Sequence, residues 1–426
     1  MARKEKIRIK RTKMKSDAPA EKAAKPAPRF AGMQYEDELE EAAREAAEKR
    51  AARQKKPKTK KRLIIATVIV ALVALVWAKW DVLNPSNVWT WLTIVITGGE
   101  TGDGYPTEVE GSSVVAMKPV GNYLAVVTQN TLTVYNKSAG NVISRTHSFS
   151  DPMVDVSGNC IMLAEIGGRR VEVQTIGGQP RTVETEKNIV SAAVSNNGSV
   201  AVVTESDKSH ISEVVFYNNK GERKLHWYSS EAMITGVTLR DDAKQMAAIG
   251  VFAKNGAPQS RLLVFATGSD KEPQRYDGAD MVLCDVDFLS NDYVAAVGND
   301  RVWLVKDGAD SPSQLTFENR RLLSWAISGD RVGLVLQSYG STEGGELMVV
   351  DKAAEQVYTV PFTGTFRGIA PAKKEFFLLN GTQVLSMNEK GETQTTQVIP
   401  DALRVCRAFD KDAVVLGLTS IERYEF

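Results

Sequence analysis

The stretch Tyr123–Thr128 reads YLAVVT, and seven later stretches repeat its character of a short, almost uninterrupted apolar run. They are CIMLAEI from Cys160, SVAVVTE from Ser199, QMAAIGV from Gln245, YVAAVG from Tyr293, RVGLVLQ from Arg331, EFFLLN from Glu375 and AVVLGLT from Ala413. The apolar strands that open the repeats begin near Val114, Val154, Ile189, Ile234, Val282, Leu322, Phe366 and Leu403. A repeat of roughly 35–50 residues made only of strands is typical of a β-propeller with one four-stranded sheet per repeat. The sequence therefore predicts an all-β, eight-bladed propeller over residues 105–426, with seven blades as the alternative.

The last repeat supplies only three strands before the chain stops at Phe426. Pro106–Glu110, just before the first repeat, are predicted to add as its outermost strand, which would tie the two ends of the ring together. The opening strands also repeat a small residue at their third position, which we interpret as a packing requirement near the axis. These small residues are Ser191, Gly236, Cys284, Ser324 and Gly368.

Charge is divided unevenly along the chain. Residues 1–62 carry 21 Lys and Arg against 10 Asp and Glu, a net charge of +11, whereas the remainder carries 32 against 42, a net charge of −10. A basic tail of this kind usually meets nucleic acid or an anionic membrane. Residues 1–34 lack the apolar side chains that a core needs, and the Ala/Glu/Arg-rich segment near 35–53 is predicted to be helical.

Leu63–Ala78 is an uncharged apolar segment that would span about 24 Å as a helix. We interpret residues 63–80 as a single transmembrane helix, in preference to a buried core helix or a cleaved signal peptide. The positive-inside rule then places residues 1–62 in the cytoplasm and the propeller outside the cell membrane. The predicted anchoring side chains at the membrane interfaces are Lys61, Arg62, Trp77, Trp80, Trp89 and Trp91.

Residues 81–104 are predicted to form a juxtamembrane segment. Its apolar side chains, including Trp91, share one helical face and Trp89 lies beside that face, so a short helix lying in the membrane interface is expected. Packing of this helix against the propeller is the alternative. The Gly-rich sequence GGETGDG from Gly98 is predicted to be a flexible joint.

The three cysteines, Cys160, Cys284 and Cys406, fall in strands of different repeats and are odd in number. We predict buried thiols without disulfides. An exported domain of this size without disulfides is more typical of a bacterial cell surface than of a eukaryotic secretory route.

The segment from Pro106 to Phe426 resembles the eight-bladed quinoprotein-like (PQQ-like) propellers and, more loosely, the WD40 class. The anchor, NPSNVWTWL from Asn84 and GDGYP from Gly102 resemble a clostridial family of membrane-anchored propellers with no assigned activity. The quinoprotein comparison implies a fold only, because the tryptophan-docking repeat (Ala-x-Asp-x-x-Thr-Gly-x-x-x-Trp) of those dehydrogenases is absent. No propeller strand ends in the Trp-Asp pair of WD40 repeats either.

Sequence motifs for catalysis are missing: there is no nucleophile elbow, P-loop or EF-hand loop. The only histidines, His147, His210 and His226, are assigned to separate repeats and lack metal-ligand spacing. Weak candidates for a cation site such as Ca²⁺ are three carboxylates on opening strands that could face the channel. They are Asp155, Asp285 and Asp287. Acid groups that simply face channel water are the preferred interpretation, and no cofactor is expected.

Three repeats lengthen the loop between their second and third strands: Ser206–Ser212, Phe252–Arg261 and Gln337–Glu346. In four-stranded blades these loops emerge on one face, and insertions confined to one face build binding surfaces in repeat folds. Tolerated variation in loop length is the alternative. The candidate partner-binding side chains are Lys208, His210, Lys254, Asn255, Gln259, Tyr339 and Glu343.

These features favour a non-enzymatic, single-pass surface protein whose propeller binds an envelope protein, a peptide or a glycan. The alternative is an extracellular enzyme, either a hydrolase or lyase acting on polymers or a quinoprotein-like oxidoreductase. Nucleic-acid binding by the basic tail is less favoured, because the neighbouring span makes anionic lipid the simpler partner.

Overall fold

The computed structural model describes residues 44–45, 67, 99–206, 209–269, 271–372, 375–409 and 412–426. The chain divides into two compact units, Met1–Lys79 and Trp80–Phe426, and the described β-structure lies in the second. Among the described residues, no helix is long and apolar enough to cross a membrane. The predicted tail, span and juxtamembrane helix lie almost entirely outside these residues. The same holds for Lys61, Arg62, Trp77, Trp80, Trp89 and Trp91.

The second unit contains eight antiparallel sheets of four strands each, so eight blades are confirmed and the seven-bladed alternative is wrong. A two-residue strand, β1 (Thr107–Glu108), and a 3-10 helix at Gly111–Ser113 come first. The first strand of each blade contacts the first strands of its neighbours, which places these strands at the axis of the ring. We call the four strands of a blade a to d, from the axis outward.

The first four blades contain the following strands, from a to d. They are β2 (Val114–Val120), β3 (Tyr123–Thr128), β4 (Thr131–Tyr135) and β5 (Asn141–Thr146); β6 (Pro152–Ser157), β7 (Cys160–Glu165), β8 (Arg170–Thr175) and β9 (Arg181–Glu184); β10 (Ile189–Val194), β11 (Val200–Glu205), β12 (Ser212–Tyr217) and β13 (Arg223–Ser229); β14 (Met233–Leu239), β15 (Gln245–Lys254), β16 (Ala257–Ala266) and β17 (Gln274–Ala279).

The last four blades continue in the same order. They are β18 (Leu283–Ser290), β19 (Tyr293–Gly298), β20 (Arg301–Lys306) and β21 (Ser313–Thr316); β22 (Arg320–Ser328), β23 (Arg331–Ser338), β24 (Gly345–Asp351) and β25 (Gln356–Phe362); β26 (Phe366–Ala372), β27 (Glu375–Asn380), β28 (Gln383–Met387) and β29 (Thr393–Gln397); β30 (Arg404–Ala408), β31 (Asp412–Leu416), β32 (Ser420–Tyr424) and, as strand d, β1.

Ring closure follows the predicted route. Thr107 pairs with Ile421 in the last blade, so β1 is its outermost strand. The Gly111 amide donates to the Leu418 carbonyl at 2.8 Å and continues the seam beyond β1. The two ends of the propeller therefore share one blade, as the sequence predicted.

The b strands explain the apolar runs that define the repeat. Successive side chains of a strand point to opposite faces of its sheet, and in a propeller both faces are covered by neighbouring blades. All five residues of β31 are buried for this reason, whereas the outer strand β29 is mostly exposed. The buried apolar side chains form eight clusters, one at each interface between adjacent blades. Stability is therefore distributed around the ring.

Six of the a strands carry a β-bulge near their start, which shifts the pairing by one residue. In five blades a small residue follows the bulge: Ala116, Ser191, Gly236, Ser324 and Gly368. In the fifth blade Asp285 occupies this position and Cys284 is the bulged residue. The prediction that placed Cys284 with the small residues was therefore wrong by one position, because a bulge leaves no mark in the apolar pattern. All three thiols are free, but only Cys160 and Cys406 are buried, and Cys284 is exposed.

Glu100–Gly104 dock on the turn between strands c and d of the first blade. The Glu100 amide donates to Asn141 O at 3.2 Å, and the Gly104 amide donates to Ser138 O at 3.0 Å. A Cβ atom at Gly140 would overlap the Glu100 carbonyl, so the close approach of the two backbones requires glycine there. The flexible joint predicted for this stretch is wrong for these residues, because the glycines permit docking.

Candidate functional site

The antiparallel order gives the ring two distinct faces. The upper face carries the b–c turns and the connections from strand d of one blade to strand a of the next. The lower face carries the a–b and c–d turns, and Glu100–Gly104 dock on it.

Exposed apolar side chains are concentrated on the upper face. Within the described residues eight large apolar side chains are well exposed, and seven of them lie in upper-face turns or at the strand ends beside them. These seven are Ile166, Ile211, Tyr228, Met233, Val282, Tyr339 and Leu418. The eighth, Val357, begins strand d of the sixth blade and lies near the lower face. This asymmetry is the main surface feature of the propeller.

Two of the three predicted long loops are present. The b–c loop of the third blade runs from Ser206 to Ile211, and that of the sixth blade from Tyr339 to Gly344. Tyr339 is 70% exposed, and the Glu343 carbonyl accepts a 2.8 Å hydrogen bond from Ser341 Oγ. Lys208 lies outside the described residues.

The third predicted loop is a β-hairpin. Strands β15 and β16 are ten residues long and pair up to Lys254 and Ala257, leaving a two-residue turn of Asn255 and Gly256. Both turn residues have positive φ, 55° and 78°, as a tight Asn-Gly hairpin turn requires. Gln259 therefore lies inside strand β16. The predicted long loop is wrong here, because the Asn-Gly signal outweighs the polar composition around it.

A buried cation stabilises the base of this hairpin. Arg261 is 4% exposed, and its guanidinium contacts Asp277 at 2.7 Å and Glu231 at 2.9 Å. The same guanidinium lies 4.6 Å from the centre of the Phe252 ring. The hairpin is thus held rigidly against strand d of its blade.

An aromatic and histidine cluster lies beside the long loop of the third blade. The Tyr228 ring lies 4.6 Å from the His210 ring and 4.4 Å from the His226 ring, centre to centre. His226 Nε2 contacts the buried Glu213 carboxylate at 3.0 Å. His210 and His226 therefore belong to one blade, and their assignment to separate repeats was wrong. His147 lies in the d–a connection before the second blade, with its Nε2 3.1 Å from Thr128 O.

The axis of the ring contains a cavity of about 520 Å³. The a strands of the first six blades line it, and Asp155, Asp285 and Asp287 are among the lining residues, together with Lys118. The structure thus brings the three predicted channel carboxylates into one cavity. It places none of the predicted loop residues there.

Each of these carboxylates receives a hydrogen bond from a neighbouring blade. Asp155 accepts from the Val194 amide at 2.9 Å, Asp285 from Trp325 Nε1 at 2.7 Å, and Asp287 from Thr238 Oγ1 at 2.8 Å. Their geometry thus ties adjacent a strands together. Among the described residues, no set of three or more His, Cys, Asp or Glu groups is arranged to hold a metal ion.

Enclosure by protein raises the pKa of two of these carboxyls. Both side chains face the cavity, but protein atoms surround them on most other sides and disfavour the charged form. Burial raises the pKa of Asp287 to about 7, and repulsion from Asp155 adds to this effect while the Thr238 hydrogen bond opposes it. Burial also raises the pKa of Asp285, against a smaller opposing effect of Lys118.

Replacing Asp287 with Asn is expected to change how stability depends on pH. Because its pKa is raised from 3.8 to about 7, the folded protein binds this proton more tightly than the unfolded chain does. The stabilisation is complete below pH 3.8 and is lost as the pH rises through about 7. We therefore expect the native Tm to fall relative to that of Asp287→Asn across this range, as measured by thermal denaturation. Parallel Tm curves would show that the Asp287 carboxyl is not perturbed.

The fold defines the protein as an eight-bladed β-propeller whose upper face and axial cavity are its two candidate sites. The chain belongs to the DUF5711 family, a family of unknown function, which it matches over residues 101–418. No curated protein matches the chain.

Several solved structures are similar to this chain at low sequence identity. BamB from Moraxella catarrhalis is 11% identical, with 75% of this chain and 100% of BamB covered and a TM-score of 0.48. Hydrazine synthase from Kuenenia stuttgartiensis is 10% identical, covering 75% and 97%, with a TM-score of 0.42. The Pan2 WD40 domain from Neurospora crassa is 11% identical, covering 73% and 88%, with a TM-score of 0.42.

Sequence reasoning missed several residues of the upper face. Tyr228 and Met233 lie at strand ends. An apolar side chain in a strand is ordinarily expected to be buried, so neither residue was predicted to be exposed. Ile166 and Leu418 lie within b–c turns, and a large apolar residue in a polar turn was the signal that could have found them.

Proposed function

We propose that this protein is a non-enzymatic binding protein whose propeller presents its upper face to a partner outside the cell membrane. The observation that carries the proposal is that seven of the eight well-exposed large apolar side chains among the described residues lie on that face. Single exposed apolar residues are normal on any protein, whereas their concentration on one face is typical of an interaction surface. The partner is an envelope protein, a peptide or a glycan.

The proposal includes a transmembrane helix at residues 63–80, with the N-terminus in the cytoplasm. It is supported by the uncharged stretch Leu63–Ala78 and by the basic residues before it. Glu100–Gly104 dock on the lower face, so this segment does not cover the upper face.

Binding is favoured over catalysis by the way the cavity carboxylates are used. Asp155, Asp285 and Asp287 each accept a hydrogen bond from a neighbouring blade, which is a structural role. The upper face, in contrast, carries large apolar side chains that are exposed.

A photo-reactive amino acid at Tyr339 is expected to cross-link a partner in intact cells, whereas the same residue at Val357 is not. The two side chains are both exposed, at 70% and 39%, but lie near opposite faces of the same blade. Cross-linked species are detected by gel shift and identified by mass spectrometry. Equal cross-linking from both positions would contradict the assignment of the upper face.

Labelling of Cys284 in the same cells shows on which side of the membrane the propeller lies. Cys284 is the exposed thiol, while Cys160 and Cys406 are buried. Partial enclosure by the surrounding protein and the neighbouring Asp285 raise the pKa of the Cys284 thiol, so labelling is done at mildly alkaline pH. A membrane-impermeant maleimide is expected to label it in intact cells, with Cys284→Ser as the control. Labelling only after permeabilisation would contradict the proposed topology.

A further inference from the structure

We infer that the partner segment bound at the upper face is a basic amphipathic peptide, with Lys or Arg side chains beside apolar ones. This inference rests on the proposed function, because it takes the upper face as the binding surface. It adds the chemistry of the partner, which the charges around the exposed apolar side chains define.

The connections of the upper face are strongly acidic. In the part of the chain that the structure describes, the b–c turns and d–a connections contain nine carboxylates and two basic side chains. The carboxylates are Glu110, Asp151, Glu186, Glu231, Asp280, Asp300, Glu318, Glu343 and Asp401, and the basic residues are Arg169 and Lys187. In the described turns of the lower face the charges are more nearly balanced, with eleven acidic and seven basic residues.

Three of the nine carboxylates are neutralised by ion pairs. Glu186 contacts Arg223 at 3.3 Å, Glu231 contacts Arg261 at 2.9 Å, and Asp300 contacts Arg301 at 2.7 Å. The other six make no ion pair with a described residue, and five of these six are exposed. Their charge therefore acts on whatever approaches the face.

Two of the unneutralised carboxylates lie close in sequence to exposed apolar side chains. Asp280 is two residues before Val282, and Glu343 shares a six-residue loop with Tyr339. Glu318 follows the buried Phe317 in the d–a connection into the same sixth blade. Exposed apolar and acidic side chains therefore share the upper face of the fifth and sixth blades.

Only a partner with both apolar and basic side chains satisfies both kinds of group. An uncharged glycan would leave the carboxylates without a counter-charge, and nucleic acid or anionic lipid would be repelled. Electrostatic attraction of this kind also speeds association and weakens with salt. A peptide segment that carries Lys or Arg among Leu-like residues is the simplest ligand with these properties.

The test measures binding of a fluorescent amphipathic Leu/Lys peptide to the full-length chain in zwitterionic lipid nanodiscs, with empty nanodiscs as background. The upper-face variant is Asp280→Asn, Glu318→Gln and Glu343→Gln together. Asn suits position 280, where φ is 56°. We expect the Kd of this variant to rise about tenfold, since three attractive charges are removed.

The matched control is Asp310→Asn, Glu355→Gln and Glu389→Gln, which removes three exposed carboxylates from lower-face turns. Its net charge changes equally, so we expect the Kd to change less than about twofold if the effect is local. A Ser/Lys peptide tests the apolar contribution and is expected to bind at least about tenfold more weakly. Thermal denaturation establishes that both variants fold as the native protein does.

Several results would overturn the inference. Equal weakening by the two variants would show an effect of net charge alone, and equal binding of a Leu/Glu peptide would show that charge plays no part. Dimers that form through the upper face, seen by sedimentation and lost in the upper-face variant, would make a second copy the occupant. If the Leu/Lys peptide fails to bind but Tyr339 still cross-links a partner in cells, the proposed function stands and the peptide chemistry is wrong.

Discussion

A chain that ends at Ala402 is expected to lose the folded propeller entirely. The deletion removes β30, β31 and β32, and with them the pairing partner of β1. It also removes one side of two inter-blade clusters, the one between the seventh and eighth blades and the one between the eighth and first. The first and seventh blades would then each have one sheet face that no neighbouring blade covers.

The amount of apolar burial that is lost decides whether the remaining seven blades can stay folded. Large side chains of the first blade that would become exposed are Val114, Met117, Leu124 and Val126, and those of the seventh are Phe377, Leu379, Val384 and Val398. Burying one such side chain contributes about 1.5–3 kcal/mol. The sum is comparable with the whole stability of a typical domain, about 5–15 kcal/mol. No folded state with a single missing blade is therefore expected.

Thermal denaturation and limited proteolysis measure this result. The truncated chain is expected to show no cooperative transition and rapid cleavage within the propeller. A chain that begins at Gly99 and ends at Phe426 is the control, and it is expected to unfold cooperatively because it contains every described strand. A protease-resistant truncated chain would show that seven blades can close without the shared one.

Phe376→Ala is expected to destabilise the propeller by about 3–5 kcal/mol, as is typical when a buried phenylalanine is removed. Phe376 is fully buried in strand b of the seventh blade, in the cluster shared with the sixth. Its ring lies against Gly333 in strand b of the sixth blade, and a Cβ there would lie 2.7 Å from Phe376 Cε1. The absence of a side chain at Gly333 is therefore what admits the ring.

Gly333→Ala and the double variant test this interpretation. The added methyl group overpacks the interface and is expected to cost about 1–3 kcal/mol. In the double variant the methyl group enters space that the ring has left. The decreases in the free energy of unfolding of the two single variants are therefore expected to sum to more than the decrease in the double variant, by at least about 0.5 kcal/mol. Urea denaturation of all four proteins measures this coupling, and strictly additive losses would contradict direct contact between the two residues.

Most of the propeller was predictable because both faces of each b strand are covered. An uninterrupted apolar run such as Cys160–Ala164 is readable in the sequence, and eight such runs define eight blades. The closing strand at Thr107–Glu108 was predictable for a related reason, since a last repeat of three strands lacks a partner.

Local exceptions were not predictable from the same pattern. The bulge at Cys284 shifts Asp285 into the position that is small in other blades, and bulges change pairing without changing composition. At Asn255-Gly256 the turn signal was present, but the polar residues around it favoured a loop. The paired strands became visible only with the register of β15 and β16.

The candidate site was predictable only in part. Tyr339 and Glu343 were expected on the b–c side of the ring and are found there. Tyr228 and Met233 were not expected, because their exposure depends on where strands β13 and β14 end relative to the third and fourth blades. The contact between His210 and Tyr228 was not expected either. His210 lies in the b–c loop of the third blade and Tyr228 lies near the end of strand d, so the two rings meet only once strands c and d have paired.

By itself, the sequence determined the ring, the number of its blades, the shared last blade and the division of charge between tail and remainder. These properties depend on apolar periodicity and composition, which are local. The tertiary structure alone decided which face carries the exposed apolar side chains and the unbalanced carboxylates. That outcome depends on strand direction and strand length in eight separate blades at once, and residues more than a hundred positions apart, such as Ile211 and Tyr339, share a face only after the ring has closed.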